Sequence, residues 1–119
     1  MSKDNGGPAS DRELLEMAAK AAGITSVGYG RNGIATGRNG PCLVGYWNPL
    51  TDDGDAMRLA VNLGLVVDAY AMRAISATRL AYGHNDWVCG LDEGDDDMDE
   101  YEATRRAIVR AAAAIGSAM

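Results

Sequence analysis

Apolar residues recur along this chain in two rhythms, and the places where the rhythm changes mark out its elements. Leu14, Leu15, Ala18, Ala21 and Ala22 follow a helical spacing. Ser10 ahead of them and Glu13 at the third helical position form a capping box, and Gly23 is a natural stop. A second helix is predicted between Asp52 and Gly64, with Ala56, Leu59, Ala60 and Leu63 on one face. Asp52 suits its N-cap, and Asp53 and Asp55 fall in the first turn, where the helix dipole favours negative charge. In a third helix Tyr101, Thr104, Ile108, Ala111, Ala112 and Ile115 line one face. Asp97 caps it, Glu100 completes a capping box, Arg105, Arg106 and Arg110 follow, and Gly116 closes it.

Strand-like stretches lie between the helices: Ile24 to Val27, Cys42 to Trp47, then 65–72 and 74–82, and a further candidate from Trp87 to Leu91. The reversal between 65–72 and 74–82 is placed near Arg73, where neither Gly nor Pro marks it. Asn48-Pro49 marks a turn, because proline disfavours a helical conformation for the residue before it. This order, with short connections, predicts an α+β fold: a small antiparallel or mixed sheet with about three helices packed on one face. Residues 1–9 read as a flexible N-terminal tail and residues 10–119 as a single α+β domain.

The stretch GRNGIATGRNG, residues 30–40, repeats Gly-Arg-Asn-Gly within a few positions. Gly28-Tyr29-Gly30-Arg31-Asn32-Gly33 has the form GxGxxG, but a dinucleotide fingerprint needs a helix to open there, and Ile34-Ala35-Thr36-Gly37 offers none. Asn-Gly is instead the signature of a type I′ hairpin turn. Two successive turns are therefore expected, at Asn32-Gly33 and Asn39-Gly40, with a very short strand from Ile34 to Thr36 between them. Each carries an arginine at its shoulder, Arg31 and Arg38, placed to meet an anion. Tyr46-Trp47-Asn48 follows: Trp47 can stack on a nucleobase whose edge Asn48 reads, or it can anchor the core.

Charge narrows the partner. The 119 residues carry a formal net charge of −6, which argues against general nucleic-acid binding and suits a basic protein partner. Cys42 and Cys89 have no CxxC partner and His84 is the single histidine, so no zinc set, metal or cofactor is expected. Helix capping accounts for Asp52, Asp53 and Asp55. The acidic run from Leu91 to Glu102 fails as a calcium loop, because a start at Asp95 puts Glu100 where glycine belongs and Arg106 where the closing glutamate belongs. It reads as a solvated loop or as a protein-docking surface of Asp92, Glu93, Asp95, Asp96 and Asp97. His84 and Asp86 have no placed nucleophile, so no enzyme is expected. Residues 1–8 lack the apolar core of a signal peptide and no run reaches membrane length, which points to a cytoplasmic chain with free thiols.

Three stretches carry a resemblance: DRELLEMAAKAAGI, WNPLTDDGDAMRLAVNLGL and ATRRAIVRAAAAIGSAM. Together they resemble the NinX-like family of small bacteriophage and prophage accessory proteins. There a central Asn-Pro, a following acid and a helix precede a C-terminal helix rich in Arg and Ala. The resemblance covers the helices chiefly and brings no catalytic residues. It implies a setting, a non-enzymatic accessory protein made inside a bacterial host and acting against its defences. One expected mechanism is sequestration of a small nucleotide-type signal by a homo-oligomer, through Arg31, Asn32, Arg38, Asn39, Tyr46, Trp47 and Asn48. A second is an anti-CRISPR-like inhibitor whose acids around Asp92 to Glu102 dock on a host defence complex. A structural or regulatory phage protein with no small ligand is the third.

Overall fold

A computed structural model of the chain describes residues 10–26, 28–36, 38–39, 42–43, 45–92 and 97–119, with the backbone alone at 38–39 and 42–43. Helix α1 (Asp11–Ala22) starts where its cap dictates: Glu13 N–H donates to Ser10 Oγ and Ser10 N–H donates to the Glu13 carboxylate. Gly23, at φ 75°, ends it in a left-handed turn that sends its N–H back to the Ala19 and Lys20 carbonyls. Ile24 N–H also bonds Ala19 O, at 2.9 Å, so the first residue of the strand expected over Ile24 to Val27 belongs to the end of the helix. Pairing begins only at Gly28, and Val27 lies outside the described residues.

Gly28–Gly30 (β1) and Gly33–Ala35 (β2) form an antiparallel hairpin in which Gly30 faces Gly33, so Arg31 and Asn32 make the turn. Among the described residues Met72 is the one non-glycine with positive φ, so Arg31 and Asn32 keep negative φ and the expected type I′ turn at Asn32-Gly33 does not form. Gly33 instead opens β2 at φ 108°, where a Cβ would stand 2.6 Å from the Trp47 carbonyl oxygen. Arg38–Asn39 (β3) pairs with Cys42–Leu43 (β4), which encloses 40–41; the turn expected at Asn39-Gly40 thus lies partly outside the described residues. Tyr46–Trp47 (β5) returns to β2, with Trp47 opposite Ile34.

Asn48 then turns the chain into helix α2 (Asp53–Leu63), capped by Asp52, whose carboxylate accepts from Asp55 N–H at 2.7 Å, and ended by Gly64 at φ 65°. Leu65–Asp68 (β6) and Arg73–Ser76 (β7) pair antiparallel, with Asp68 opposite Arg73. The reversal therefore falls on 69–72, ahead of Arg73: Asp68 Oδ1 accepts from Ala71 N–H, and Met72, at φ 54°, does the work a glycine usually does. The strand expected over 74–82 stops at Ser76. Residues Ala77–Ala81 form a short helix, α3, because their carbonyls are satisfied locally by Tyr82, Gly83 and His84 N–H groups rather than by a neighbouring strand. Val88–Cys89 (β8) completes the second three-stranded sheet on the far side of β7.

Helix α4 (Glu100–Ser117) is the centre of the molecule. Its cap is Asp99, which accepts from Glu102 N–H at 2.8 Å, and the expected cap Asp97 sits exposed in the preceding turn. Gly116 lies inside this helix rather than ending it, and glycine is needed there because a Cβ would collide with the Met17 backbone of α1. Because α1 and α2 cover one side of α4 and β7 and β8 another, α4 buries Ala103, Ala107, Val109 and Ala112 completely. Tyr101, expected on the buried face, is left 68% exposed.

The result is an α+β fold in which all described strand pairings are antiparallel and the strands divide into two small three-stranded sheets and one hairpin. Arg106 of α4 pairs with Asp11 at the start of α1, Arg105 pairs with Asp53 at the start of α2, and Lys20 near the end of α1 reaches the Met119 carbonyl. Asn62 near the end of α2 donates to the Ala22 carbonyl at the end of α1. The three long helices therefore run in the same direction.

Candidate functional site

The residues expected to hold a nucleotide are divided by the sheet. Trp47 is 8% exposed and packs with Ile34 and Leu50 in the main core, whereas Tyr46 is 44% exposed. Successive strand residues point to opposite faces, so these two rings do not stack on one ligand. Asn48 is engaged in the turn itself: Leu50 N–H donates to its Oδ1 at 3.1 Å, and its own N–H donates to Asp55 at 2.9 Å. Arg31 and Asn32 are exposed at the tip of the first hairpin. Arg38 and Asn39 pair through their backbones with Leu43 and Cys42, and their side chains lie outside the described residues.

Of the acids expected to dock a protein, Asp92 and Asp97 fall among the described residues. Asp92 is held by a two-pronged ion pair, Arg110 Nη1 to Oδ1 at 2.9 Å and Nη2 to Oδ2 at 2.7 Å, and Arg110 also donates to the Cys89 carbonyl. Those hydrogen bonds from Arg110 hold the Asp92 carboxyl below the usual carboxylate range. Glu93, Asp95 and Asp96 lie outside the described residues, and Asp97 is exposed.

A site that neither expectation contained lies between α2 and α4. There an apolar groove of about 520 Å³ has Ala56, Met57 and Ala60 on one wall and Tyr101, Thr104 and Ile108 on the other, with Val67 of β6 at its base. Its rim is apolar and open to solvent: Met57 is 63% exposed, Tyr101 68% and Tyr70 97%. Soluble proteins keep such clusters small, and one that gathers around a concavity marks an interaction surface. Tyr70 is carried by the 69–72 turn, where the positive φ of Met72 is uncommon for a long side chain. The turn is braced beneath it: Asp68 accepts from Ala71 N–H and from Arg73 Nε, and these bonds, the backbone one foremost, hold its carboxyl below the ordinary value. Arg73 in turn stacks over the Trp87 ring at 4.2 Å.

One end of the groove is polar and ordered. Arg105 is fixed by the Leu50 carbonyl at 2.8 Å and Asp53 Oδ1 at 2.7 Å, leaving its side chain 19% exposed. Glu100, exposed, also lines the groove. A signal for this groove was present in the sequence. Met57, which lines the groove, stands on α2 outside the face of Ala56, Leu59, Ala60 and Leu63 and widens the apolar surface beyond what one core contact needs.

A second cavity, of about 450 Å³, lies between β7, β8 and the end of α4. Arg79 and Asp86 pair across its rim at 2.7 Å, which holds the Asp86 carboxyl below its ordinary value. Among the described residues no group of His, Cys, Asp and Glu is placed to hold a metal, and no helix is long and apolar enough to cross a membrane. Comparison of the chain with family models, curated proteins and solved structures finds no significant match.

Proposed function

We propose that the chain is a non-enzymatic binding protein that docks another protein in the groove between α2 and α4. The observation that carries this reading is the open apolar rim of Tyr70, Tyr101 and Met57 around a groove with a fixed polar end. The family resemblance of the helices supplies the setting: a small accessory protein, made in the cytoplasm of a bacterial host, that acts on a component of host defence. Docking through an acidic protein's surface keeps the inhibitor mechanism expected from charge and moves its contact from Asp92–Asp97 to the groove. Nucleotide sequestration is less well supported, since Tyr46 and Trp47 lie on opposite faces and the Asn48 oxygen is used within its own turn. The homo-oligomer expected for a nucleotide pocket is no part of this reading.

Two measurements separate the mechanisms. Cyclic and linear nucleotides are expected to leave the melting temperature unchanged, whereas a bound nucleotide raises it by mass action. A host protein recovered with the wild-type chain is expected to be lost with Tyr70→Ala plus Tyr101→Ala and retained with Arg31→Ala. A nucleotide-induced rise abolished by Arg31→Ala would overturn the docking reading.

A further inference from the structure

The groove constrains what fills it. Its walls run in the same direction over Asp53 to Ala60 and Glu100 to Ile108. At a rise of about 1.5 Å per residue they span about 11 Å, or about two helical turns. Parallel walls of that length, with apolar side chains on both and Val67 at the base, match the i, i+4 and i+7 anchors of a short amphipathic helix.

Charge then selects the polar residues of that helix. The three long helices all begin at this end of the molecule, each with acids in its first turn: Asp11 and Glu13, Asp53 and Asp55, Glu100 and Glu102. Asp52 and Asp99 add their charges as caps. The arginines nearby are already committed, Arg12 to Glu16, Arg58 to Asp55, Arg105 to Asp53 and Arg106 to Asp11. Glu100, on the groove wall, has no basic partner among the described residues. A cation arriving there meets an exposed carboxylate in an acidic field, and an anion is repelled.

We propose that the occupant is a short amphipathic helix of a partner protein, with its apolar stripe in the groove and Lys or Arg over Glu100. The inference rests on the docking reading and adds the chemistry of the partner. Two synthetic peptides of about four helical turns test it. Both carry the same leucine stripe, one with lysines and one with glutamates at its polar positions. Each is titrated against the full chain by fluorescence anisotropy. The lysine peptide is expected to bind, more weakly as salt rises, and the glutamate peptide is not. Glu100→Lys and Tyr101→Ala should each weaken the lysine peptide by roughly tenfold or more, as loss of an interface anchor does.

Equal binding of the two peptides, or binding untouched by both variants, overturns the proposal. So does self-association of the chain, seen by sedimentation and lost with Tyr101→Ala, because the occupant is then a second copy. If neither peptide binds but the host protein is still lost with Tyr70→Ala plus Tyr101→Ala, the helix chemistry fails and docking stands. If the recovered protein ignores those substitutions as well, both fail.

Discussion

At Gly116 two preferences oppose each other. Glycine inside a helix costs about 1 kcal/mol relative to alanine, so Gly116→Ala gains stability on propensity alone. A Cβ at this position would run into the backbone of Met17, which, unlike a side chain, has no rotamer to escape into. Overpacking of this kind costs about 1–3 kcal/mol and more where a helix must shift, so the contact wins. Gly116→Ala is expected to lower the urea unfolding free energy by about 2 kcal/mol, and a stabilised variant would contradict the close approach of α1 and α4.

A second residue-scale expectation concerns acid. Arg110 lowers the Asp92 carboxyl from its ordinary value, so the pair contributes stability above the unfolded carboxylate value and loses it as pH falls through the folded one. Half of the Asp92 side chain is exposed, which keeps the effect small. Asp92→Asn should therefore be less stable than wild type near neutral pH, with the gap closing below the carboxylate range. A gap that stays constant down to low pH contradicts the ion pair.

At the scale of elements, local chemistry explains what could be read in advance. Helices α1 and α2 begin and end on caps made by residues within four positions of one another, Ser10 with Glu13 and Asp52 with Asp55, and each closes on a left-handed glycine. The bounds of helix α4 are less legible, because several aspartates compete to cap it and because Gly116 answers to a neighbouring helix that no local pattern contains. Asp99→Ala is expected to cost about 1 kcal/mol and Asp97→Ala close to nothing, measured by chemical denaturation. The reverse order would place the cap two residues earlier. Apolar and β-branched composition marks where strands lie but not where they end. Within 74–82 only Ile75, Thr78 and Tyr82 favour a strand; Arg73–Ser76 finds strand partners in β6 and β8, and Ala77–Ala81 forms a helical turn instead. Tyr46 and Trp47 stand out in the sequence as a paired aromatic site, but strand alternation separates them. The groove depends on tertiary placement of Met57, Tyr70 and Tyr101, and of these only Met57, an apolar residue off the core face of α2, is marked in the sequence.

At the scale of the molecule, parallel helices create a polarity that a net charge does not convey. Each helix N-terminus attracts acids to its own dipole, and aligning three of them gathers those acids at one end, beside the groove. A surface built this way steers a basic partner from a distance and holds it by apolar contact once it arrives. The most direct test is a photo-crosslinking amino acid placed in cells at Tyr101 or, separately, at Tyr46. A covalent adduct to a host protein is expected from position 101 and none from position 46. Adducts from position 46 alone would contradict the α2–α4 groove as the working surface of this protein.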